Sequence, residues 1–136
     1  IVLSNSIASI KEWQNIRKWF IERMRIVATF DLPANTFGET GVATTIIIAY
    51  KPKQSEKHLL QADYEVFVKE VVNIGYEVKT VKRSVHFAPQ YIINEETFEK
   101  TGQLNEDFSA MQQEFREFLK RQEEEIKNAF HLDKIN

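Results

Sequence analysis

The run VATTIIIAY at positions 42–50 is the feature that most constrains the fold, because it is apolar or β-branched almost throughout. A strand with one solvated face would alternate apolar and polar side chains. An unbroken run of this kind is typical of a strand that is covered on both faces. Lys51 and Pro52 end it. The chain is therefore expected to build a sheet in which this segment is an interior strand.

Two strands and a helix precede this segment. The chain opens on the strand-forming residues IVL, and a further strand, RIVATFDL at 25–32, ends at Pro33. In this second strand, alternation predicts two faces, the first with Ile26, Ala28 and Phe30 and the other with Val27 and Thr29. Between the strands, apolar residues spaced three or four apart predict one amphipathic helix of about 15 residues. They are Ile7, Ile10, Trp13, Ile16, Phe20 and Met24. This order of elements indicates an α/β fold.

The middle of the chain gives a weaker pattern. KPKQSEKH at 51–58 is polar and predicts an excursion to the surface. Alternating residues on either side of 73–75 predict two strands about a turn, with Tyr64, Val66 and Val68 before it and Tyr76, Val78 and Thr80 after it. A helix over 59–72 is the alternative.

Helical spacing returns after Asn105, which we expect to cap one long helix ending near Leu132, with Asp107 at its positive end. Its apolar stripe includes Phe108, Met111, Phe115 and Leu119. Such a stripe either packs on its own domain, which we favour, or binds a partner protein.

Composition sets broad limits. With 43% apolar residues the 136-residue chain can form one domain with a real core. A net charge of −2 argues against a globally basic nucleic-acid binder but leaves a local basic face open. There is no cysteine, the three histidines are scattered, and no apolar run is long enough for a bilayer, so we expect no metal site and no membrane partner. These features suit a soluble, cytoplasmic protein.

The loop before the interior strand is the leading candidate site. Residues 33–41 form a connection longer than the roughly two to five residues usual in a hairpin, and long ordered loops are commonly functional. Gly38 and Gly41 allow close approach of the backbone, and Thr40 supplies a hydroxyl. Phe37 is the one large apolar side chain in the loop after Pro33.

Two stretches, IVLSNSI and then IRKWFIERMRIVATFDLPANTFGETGVATTIIIAYK at 16–51, resemble the distal half of the catalytic domain of adenine-specific DNA methyltransferases. The modification subunits of type I restriction systems are the most similar. The resemblance lies in order and spacing: a strand, a helix with Arg17 and Trp19, LP at 32–33, Phe37, TGV at 40–42 and Lys51. It is looser over VFVKEVVNIGYEVK at 66–79, and residues 87–136 match only in having a helical tail.

The resemblance implies the C-terminal half of a class I methyltransferase sheet, a Rossmann-like, doubly wound α/β fold, followed by an α-helical tail. Residues 1–3, 25–31 and 43–50 would be its fifth, sixth and seventh strands, with the seventh inserted antiparallel between the other two. We expect three segments: the distal catalytic domain at 1–55, a post-catalytic extension at 56–103, and a C-terminal amphipathic helix at 104–132.

The family binds S-adenosylmethionine at a glycine-containing loop after its first strand and catalyses with an Asn-Pro-Pro-aromatic tetrapeptide after its fourth. This sequence contains neither motif, and its prolines, Pro33, Pro52 and Pro89, stand singly. We therefore expect a C-terminal fragment that holds no catalytic residue, is inactive alone, and leaves S-adenosylmethionine mainly to a preceding part of the protein.

Within this family the loop between the sixth and seventh strands lines the pocket for the flipped adenine, which a duplex must extrude before it can be methylated. The resemblance assigns Phe37, Gly38, Thr40 and Gly41 to that pocket, with Phe37 stacking on the base. The alternative, to which we give about equal weight, is that Phe37 only covers the edge of the sheet.

A basic patch of Lys79, Lys82 and Arg83, with His86 and Tyr76 nearby, suggests contacts with DNA phosphates, although such a run is more often a solvated strand face. The expected partners are thus DNA and the specificity subunit of a restriction-modification complex, the latter contacting the C-terminal helix. The alternative function is a non-catalytic α/β module that binds a protein through that helix.

Overall fold

A computed structural model describes residues 1–38, 40–61 and 63–131. Its main sheet has four strands in the order β1-β3-β2-β4, and β3 runs antiparallel to both β1 and β2, while β4 is parallel to β2. The strands are β1 (Val2–Ser4), β2 (Arg25–Leu32), β3 (Thr44–Tyr50) and β4 (Phe67–Glu70). The predicted interior position of the apolar run, between the first strand and RIVATFDL, is confirmed.

A β-bulge in β2 changes which side chains share a face. Ile26 pairs with Ala49, but the next pair is Ala28 with Ile48, so Val27 is an extra residue on this strand. Val27 therefore lies in the main core, while Ile26 lines a cavity on the opposite side of the sheet. The predicted alternation, which put Ile26 with Ala28 and Phe30, is wrong at this point because it assumed an unbroken ladder.

The predicted first helix is broken into three pieces, which are α1 (Asn5–Ser9), a 3₁₀ turn (Lys11–Trp13) and α2 (Gln14–Ile21). Ile10 between them is extended, and the Arg17 guanidinium donates hydrogen bonds to the carbonyl oxygens of Ile7 and Ile10 at 3.0 and 2.6 Å. A side chain thus satisfies carbonyl groups that a continuous helix would have satisfied itself. The apolar stripe is also less covered than predicted, since Ile16 is exposed.

The predicted surface position of KPKQSEKH at 51–58 is largely confirmed, because six of its eight residues are exposed, but the chain returns to the core directly after it. Gln54–Leu60 form 3₁₀ turns, and Leu59 is fully buried in the core. Neither prediction for residues 59–80 is wholly right. A strand does occur at Phe67–Glu70, but it joins the main sheet beside β2, and no helix spans 59–72 among the residues described there.

Residues 74–106 form an arm of two hairpins. The first pairs β5 (Tyr76–Val81) with β6 (Ser84–Pro89), and the second pairs β7 (Tyr91–Ile93) with β8 (Lys100–Leu104). The strand at 76–81 was predicted, but its expected partner across residues 73–75 was wrong. The true partner is β6, because a two-residue turn at Lys82 and Arg83 closes the hairpin.

The C-terminal segment is two helices, α3 (Phe108–Lys120) and α4 (Glu124–Ala129), rather than one. Asn105 is not the cap. Its backbone N–H donates to the Gln90 carbonyl in the arm, and its side-chain amide donates to Asn73 Oδ1 just before the arm. The Glu106 carboxylate accepts the Ser109 N–H instead. The predicted end near Leu132 lies outside the described residues. No helix in the described part of the chain is long and apolar enough to cross a membrane.

The core lies between one face of the sheet and α3–α4. Its buried members are Val27, Leu59, Phe118, Leu119 and Ile126. Beside them the rings of Phe30, Phe67 and Phe115 pack on one another, with centroids 5.4–5.9 Å apart. Arg25, 3% exposed, anchors the helical junction to the sheet. Its guanidinium stacks on Tyr64, its Nη1 donates to the Leu59 carbonyl, and its Nη2 forms an ion pair with Glu123, 3.2 and 3.1 Å from the two carboxylate oxygens.

Candidate functional site

The loop at 33–43 leaves the sheet at the carboxyl ends of two parallel strands. Ser4 at the end of β1 and Leu32 at the end of β2 both pair with Thr44, the first residue of β3. The loop from Pro33 to Ala43, which we call the Phe37 loop, therefore lies at the end of the sheet where both strands end. We call this end of the sheet its carboxyl edge. In α/β sheets this edge is where ligands usually bind.

The loop is ordered by short local hydrogen bonds. The Thr36 hydroxyl donates to the Pro33 carbonyl at 2.7 Å, the Thr40 N–H donates to the Phe37 carbonyl at 3.1 Å, and the Val42 N–H donates to the Thr40 hydroxyl at 3.2 Å. Phe37 lies within this turn and is 48% exposed. Thr40 thus has a structural role in the loop, and the aromatic ring is presented to solvent.

The β5–β6 hairpin lies against this loop. The Tyr76 hydroxyl donates to the Thr36 carbonyl at 2.5 Å. A Cβ on Gly38 would come within 2.6 Å of Phe87 Cζ and 3.2 Å of Val85 Cγ1, so the absence of a side chain is what permits this contact. Two features that the sequence suggested separately, the Phe37 loop and the hairpin with the basic residues, are therefore adjacent.

The two predicted glycines are not equivalent. Gly38 is required for close approach, whereas the neighbour that a Cβ on Gly41 would meet among the described residues is Asn35 Oδ1, at an ordinary 3.6 Å. The loop also contains a non-glycine residue in the left-handed region, Asn35, with φ of 66°. Asparagine tolerates this conformation better than most residues do.

The structure divides the predicted basic patch. Lys82 and Arg83 occupy the hairpin turn with φ of 48° and 68°, and both are exposed at its tip. Lys79 pairs with His86 on the hairpin face opposite to that of Tyr76, Val85 and Phe87, because successive strand residues point to opposite faces. Lys79 also lies 3.7 Å from the Glu77 carboxylate. Only the tip residues are therefore free of a local carboxylate partner among the ion pairs of the described residues.

The carboxyl edge of the sheet also contains a polar cluster that was not anticipated. The Thr45 hydroxyl, which is buried, donates to Asp31 Oδ1 at 2.7 Å and lies 2.8 Å from Asn5 Oδ1. The Asn5 N–H donates to the Ala43 carbonyl at the end of the loop. These contacts join the ends of β1 and β2 to the start of β3. No single-strand pattern reveals them, because the three residues are distant in sequence.

An apolar cavity of about 660 Å³ lies between α1–α2 and the face of the sheet that α3 does not cover. Its wall includes Ile7, Trp13, Phe20, Ile26 and Ile47, and the Asn5, Asp31 and Thr45 cluster borders it. The cavity therefore reaches the same edge of the sheet as the Phe37 loop.

The root of the arm is fixed by one carboxylate. Asp107 accepts the N–H groups of Asn73 and Val72 at 2.7 and 2.8 Å, and these bonds hold the pKa of Asp107 below its usual value. Gly75, with φ of 85°, lies against Glu106, and its carbonyl accepts the Gln90 N–H. The arm is thus joined to the end of β4 and the start of α3.

Half of the predicted partner-binding stripe packs on the chain's own core. Leu119 is buried and Phe115 packs against the core, while Phe108 and Met111 are half-buried. The described residues include no group of three or more acidic or histidine side chains that could hold a metal ion. Among the residues predicted to bind a ligand or partner, the side chains that are exposed and have no ion pair with a described residue are Phe37, Lys82 and Arg83.

Comparison with known proteins adds one positive result. A family model described as N-6 DNA methylase matches residues 1–133, which is nearly the whole chain. Neither a curated protein nor a solved structure gives a match.

Proposed function

The chain belongs to the N-6 DNA methylase family, and we propose that it is the distal part of an adenine-specific DNA methyltransferase, the part that holds the flipped adenine. The observation that carries the proposal is the position of Phe37. Its ring is half-exposed on an ordered loop at the carboxyl edge of two parallel strands. We further propose that the sheet is the distal half of a Rossmann-like methyltransferase sheet and that the parent protein is a type I modification subunit.

An adenine inside a duplex is inaccessible to a methyl donor and has to be turned out of the stack into a pocket. Phe37 offers the flipped base a planar apolar surface on which to stack, and such stacking contributes about 1–3 kcal/mol per base. The same turn leaves the backbone around Gly41 open to a close approach, since little crowds that position. Phe37 and the Gly41 backbone would therefore form one wall of the base pocket.

Contact with the DNA backbone would come from the hairpin tip. Lys82 and Arg83 extend from a hairpin that is packed on the Phe37 loop. Cations near a flipped base can hold the flanking phosphates and position the duplex without reading its sequence. Lys79, on the other face and near Glu77, is the weaker candidate for such a contact.

The cofactor of such an enzyme would be S-adenosylmethionine, which supplies the methyl group. The residues of this chain do not fit its binding site. Gly38 and Gly41 are in the Phe37 loop and Gly75 and Gly102 are in the arm, so none follows the first strand of a parallel sheet. The Thr45 hydroxyl at the carboxyl edge is already engaged by Asn5 and Asp31.

The proposed protein partner is the specificity subunit of a restriction-modification complex. Because the apolar stripe of α3 is covered by the core, a contact through this helix would use its polar outer face, which includes Gln112, Gln113 and Glu117. The alternative of a non-catalytic module that binds a partner through the apolar stripe has no specific observation in its favour.

The test is Phe37→Ala in the methyltransferase that contains this chain. We expect weaker binding of a duplex whose target adenine is already unpaired, by about 1–3 kcal/mol, with S-adenosylmethionine affinity unchanged. Phe37→Trp should retain the stacking. Val42→Ala, which trims another exposed apolar side chain of the same loop, is the matched control. An equal loss of DNA and cofactor affinity would show that Phe37 merely plugs the sheet edge.

A further inference from the structure

We propose that Tyr76 and Phe87 are positioning residues, through which the β5–β6 hairpin sets the place where the Phe37 ring stands. The inference rests on the proposed role of Phe37 in holding the base. It adds that the position of the loop is set by the arm, which lies outside the main sheet, and not by contacts within the loop.

The loop has few ties of its own. The hydrogen bonds donated by Thr36, Thr40 and Val42 all go to residues within 33–43. They therefore shape the turn but do not attach it to the rest of the molecule. Among the described residues, the bond from the Tyr76 hydroxyl to the Thr36 carbonyl is the one hydrogen bond that joins residues 34–41 to another element. Thr36 is the immediate neighbour of Phe37, so this bond acts where the ring leaves the backbone.

The second contact is steric. The backbone at Gly38, on the other side of Phe37, rests on the ring of Phe87 and on Val85. The Phe87 ring is in turn held edge-on by Tyr76, with centroids 5.4 Å apart and planes at 83°. The residues before and after Phe37 are thus both held by one face of the hairpin.

The hairpin can act as a support because its root is fixed. Asp107 holds the backbone of Val72 and Asn73 at the end of β4, and Gln90 bonds the Gly75 carbonyl at the start of β5. The phosphate-binding cations at the hairpin tip and the base-stacking ring in the loop would therefore be held at a fixed distance from each other. That distance would determine which nucleotide reaches Phe37 when Lys82 and Arg83 hold the DNA backbone.

Two substitutions test the contacts, each measured in the full-length methyltransferase. Tyr76→Phe removes only the hydroxyl, and Gly38→Ala introduces a Cβ against Phe87. For each we expect amide hydrogen exchange across residues 34–42 to rise about three- to tenfold. The fluorescence change of 2-aminopurine at the target position should fall by a similar factor, while cofactor affinity is retained. Tyr91→Phe, which removes a tyrosine hydroxyl from β7 in the other hairpin of the arm, is the matched control and should behave as the unmodified protein does.

A double variant guards against a general loss of folding. Phe87→Ala combined with Gly38→Ala removes the ring atoms that the new Cβ would meet, so exchange in the loop should move back toward that of Phe87→Ala alone. Loop exchange and base fluorescence that remain unchanged in both Tyr76→Phe and Gly38→Ala would overturn the inference. If these variants leave the fluorescence unaltered while Phe37→Ala changes it, only this inference fails. If Phe37→Ala also leaves it unaltered, the proposed function fails.

Discussion

Two parts of the molecule are stabilised in different ways: the main sheet with its two terminal helices, which we call the body, and the arm at 74–106. All of the buried apolar residues that form the core, from Val27 to Ile126, lie outside the arm. Within the arm, which the structure describes throughout, Gly75 is the one buried residue. The body depends on burial of apolar surface, whereas the arm depends on paired strands, turns and the carboxylate of Asp107.

Because of this difference, the residues that stabilise the fold and the residues proposed to bind DNA lie in different parts of the molecule. The side chains that we propose to contact DNA, Phe37, Lys82 and Arg83, belong to or rest on the weakly buried part of the molecule. Such parts have low local stability and are commonly the ones that bind ligands. A change in the body should therefore alter unfolding, and a change in the arm should alter binding with little effect on the core.

The largest effect is expected from two matched phenylalanines. Phe118 is 4% exposed in the core, and Phe87 is 58% exposed on the hairpin. Phe118→Ala should lower the free energy of unfolding by about 3–5 kcal/mol, because it leaves a cavity among the packed rings. Phe87→Ala should lower it by about 1 kcal/mol or less. Denaturant unfolding at equilibrium measures both, and equal losses would remove the distinction between body and arm.

A smaller effect concerns DNA. Lys82→Gln with Arg83→Gln should weaken duplex binding and reduce the salt slope of the affinity by about 0.9 for each phosphate that the variant no longer neutralises. Unfolding should be unchanged, since both side chains are exposed. Lys53→Gln with Lys57→Gln, two exposed cations beyond the opposite edge of the sheet, is the control. A salt slope equal to that of the unmodified protein would show that the hairpin tip does not touch phosphates.

The smallest effect is a pH dependence at the root of the arm. The pKa of Asp107 is lowered in the folded protein, so its contribution to stability is complete above the unfolded value, near 4, and is lost as the pH falls through the folded value. Hydrogen exchange of the arm amides should therefore accelerate as the pH falls below about 4, after correction for intrinsic rates. Asp107→Asn should remove much of that dependence, whereas Glu95→Gln at the β7–β8 turn should not. Identical profiles for Asp107→Asn and the unmodified protein would contradict this role.

The features that local residue chemistry determines could be predicted from the sequence. The β-branched run at 44–50 became an interior strand, and Pro33 ended β2. The features that depend on distant partners could not. The break in the first helix is accompanied by the Arg17 bonds to Ile7 and Ile10, and Asn105 does not cap α3 because it bonds Gln90 and Asn73 instead. The hairpin turn was missed because Lys82 and Arg83 adopt positive φ without the Asn-Gly signal that usually marks it.

The candidate site was predictable to a similar extent. Loop length and composition drew attention to Phe37 and Gly38, and the structure places Phe37 on the surface and explains Gly38 by its contact with Phe87. Nothing in the sequence alone distinguishes Gly38 from Gly41, or Lys79 from the two tip cations. Both distinctions arise from how the hairpin faces the loop, which is a contact across about 50 residues of chain.

The ion pair between Arg25 and Glu123 joins residues 98 positions apart. During synthesis the strands emerge long before the helices that cover them, since α3 begins only at Phe108. Until then the rings of Phe30 and Phe67 lack their Phe115 and Phe118 partners. Such long-range contacts slow folding and leave apolar surface open to association. The nascent chain should therefore be most prone to association before α3 and α4 have left the ribosome.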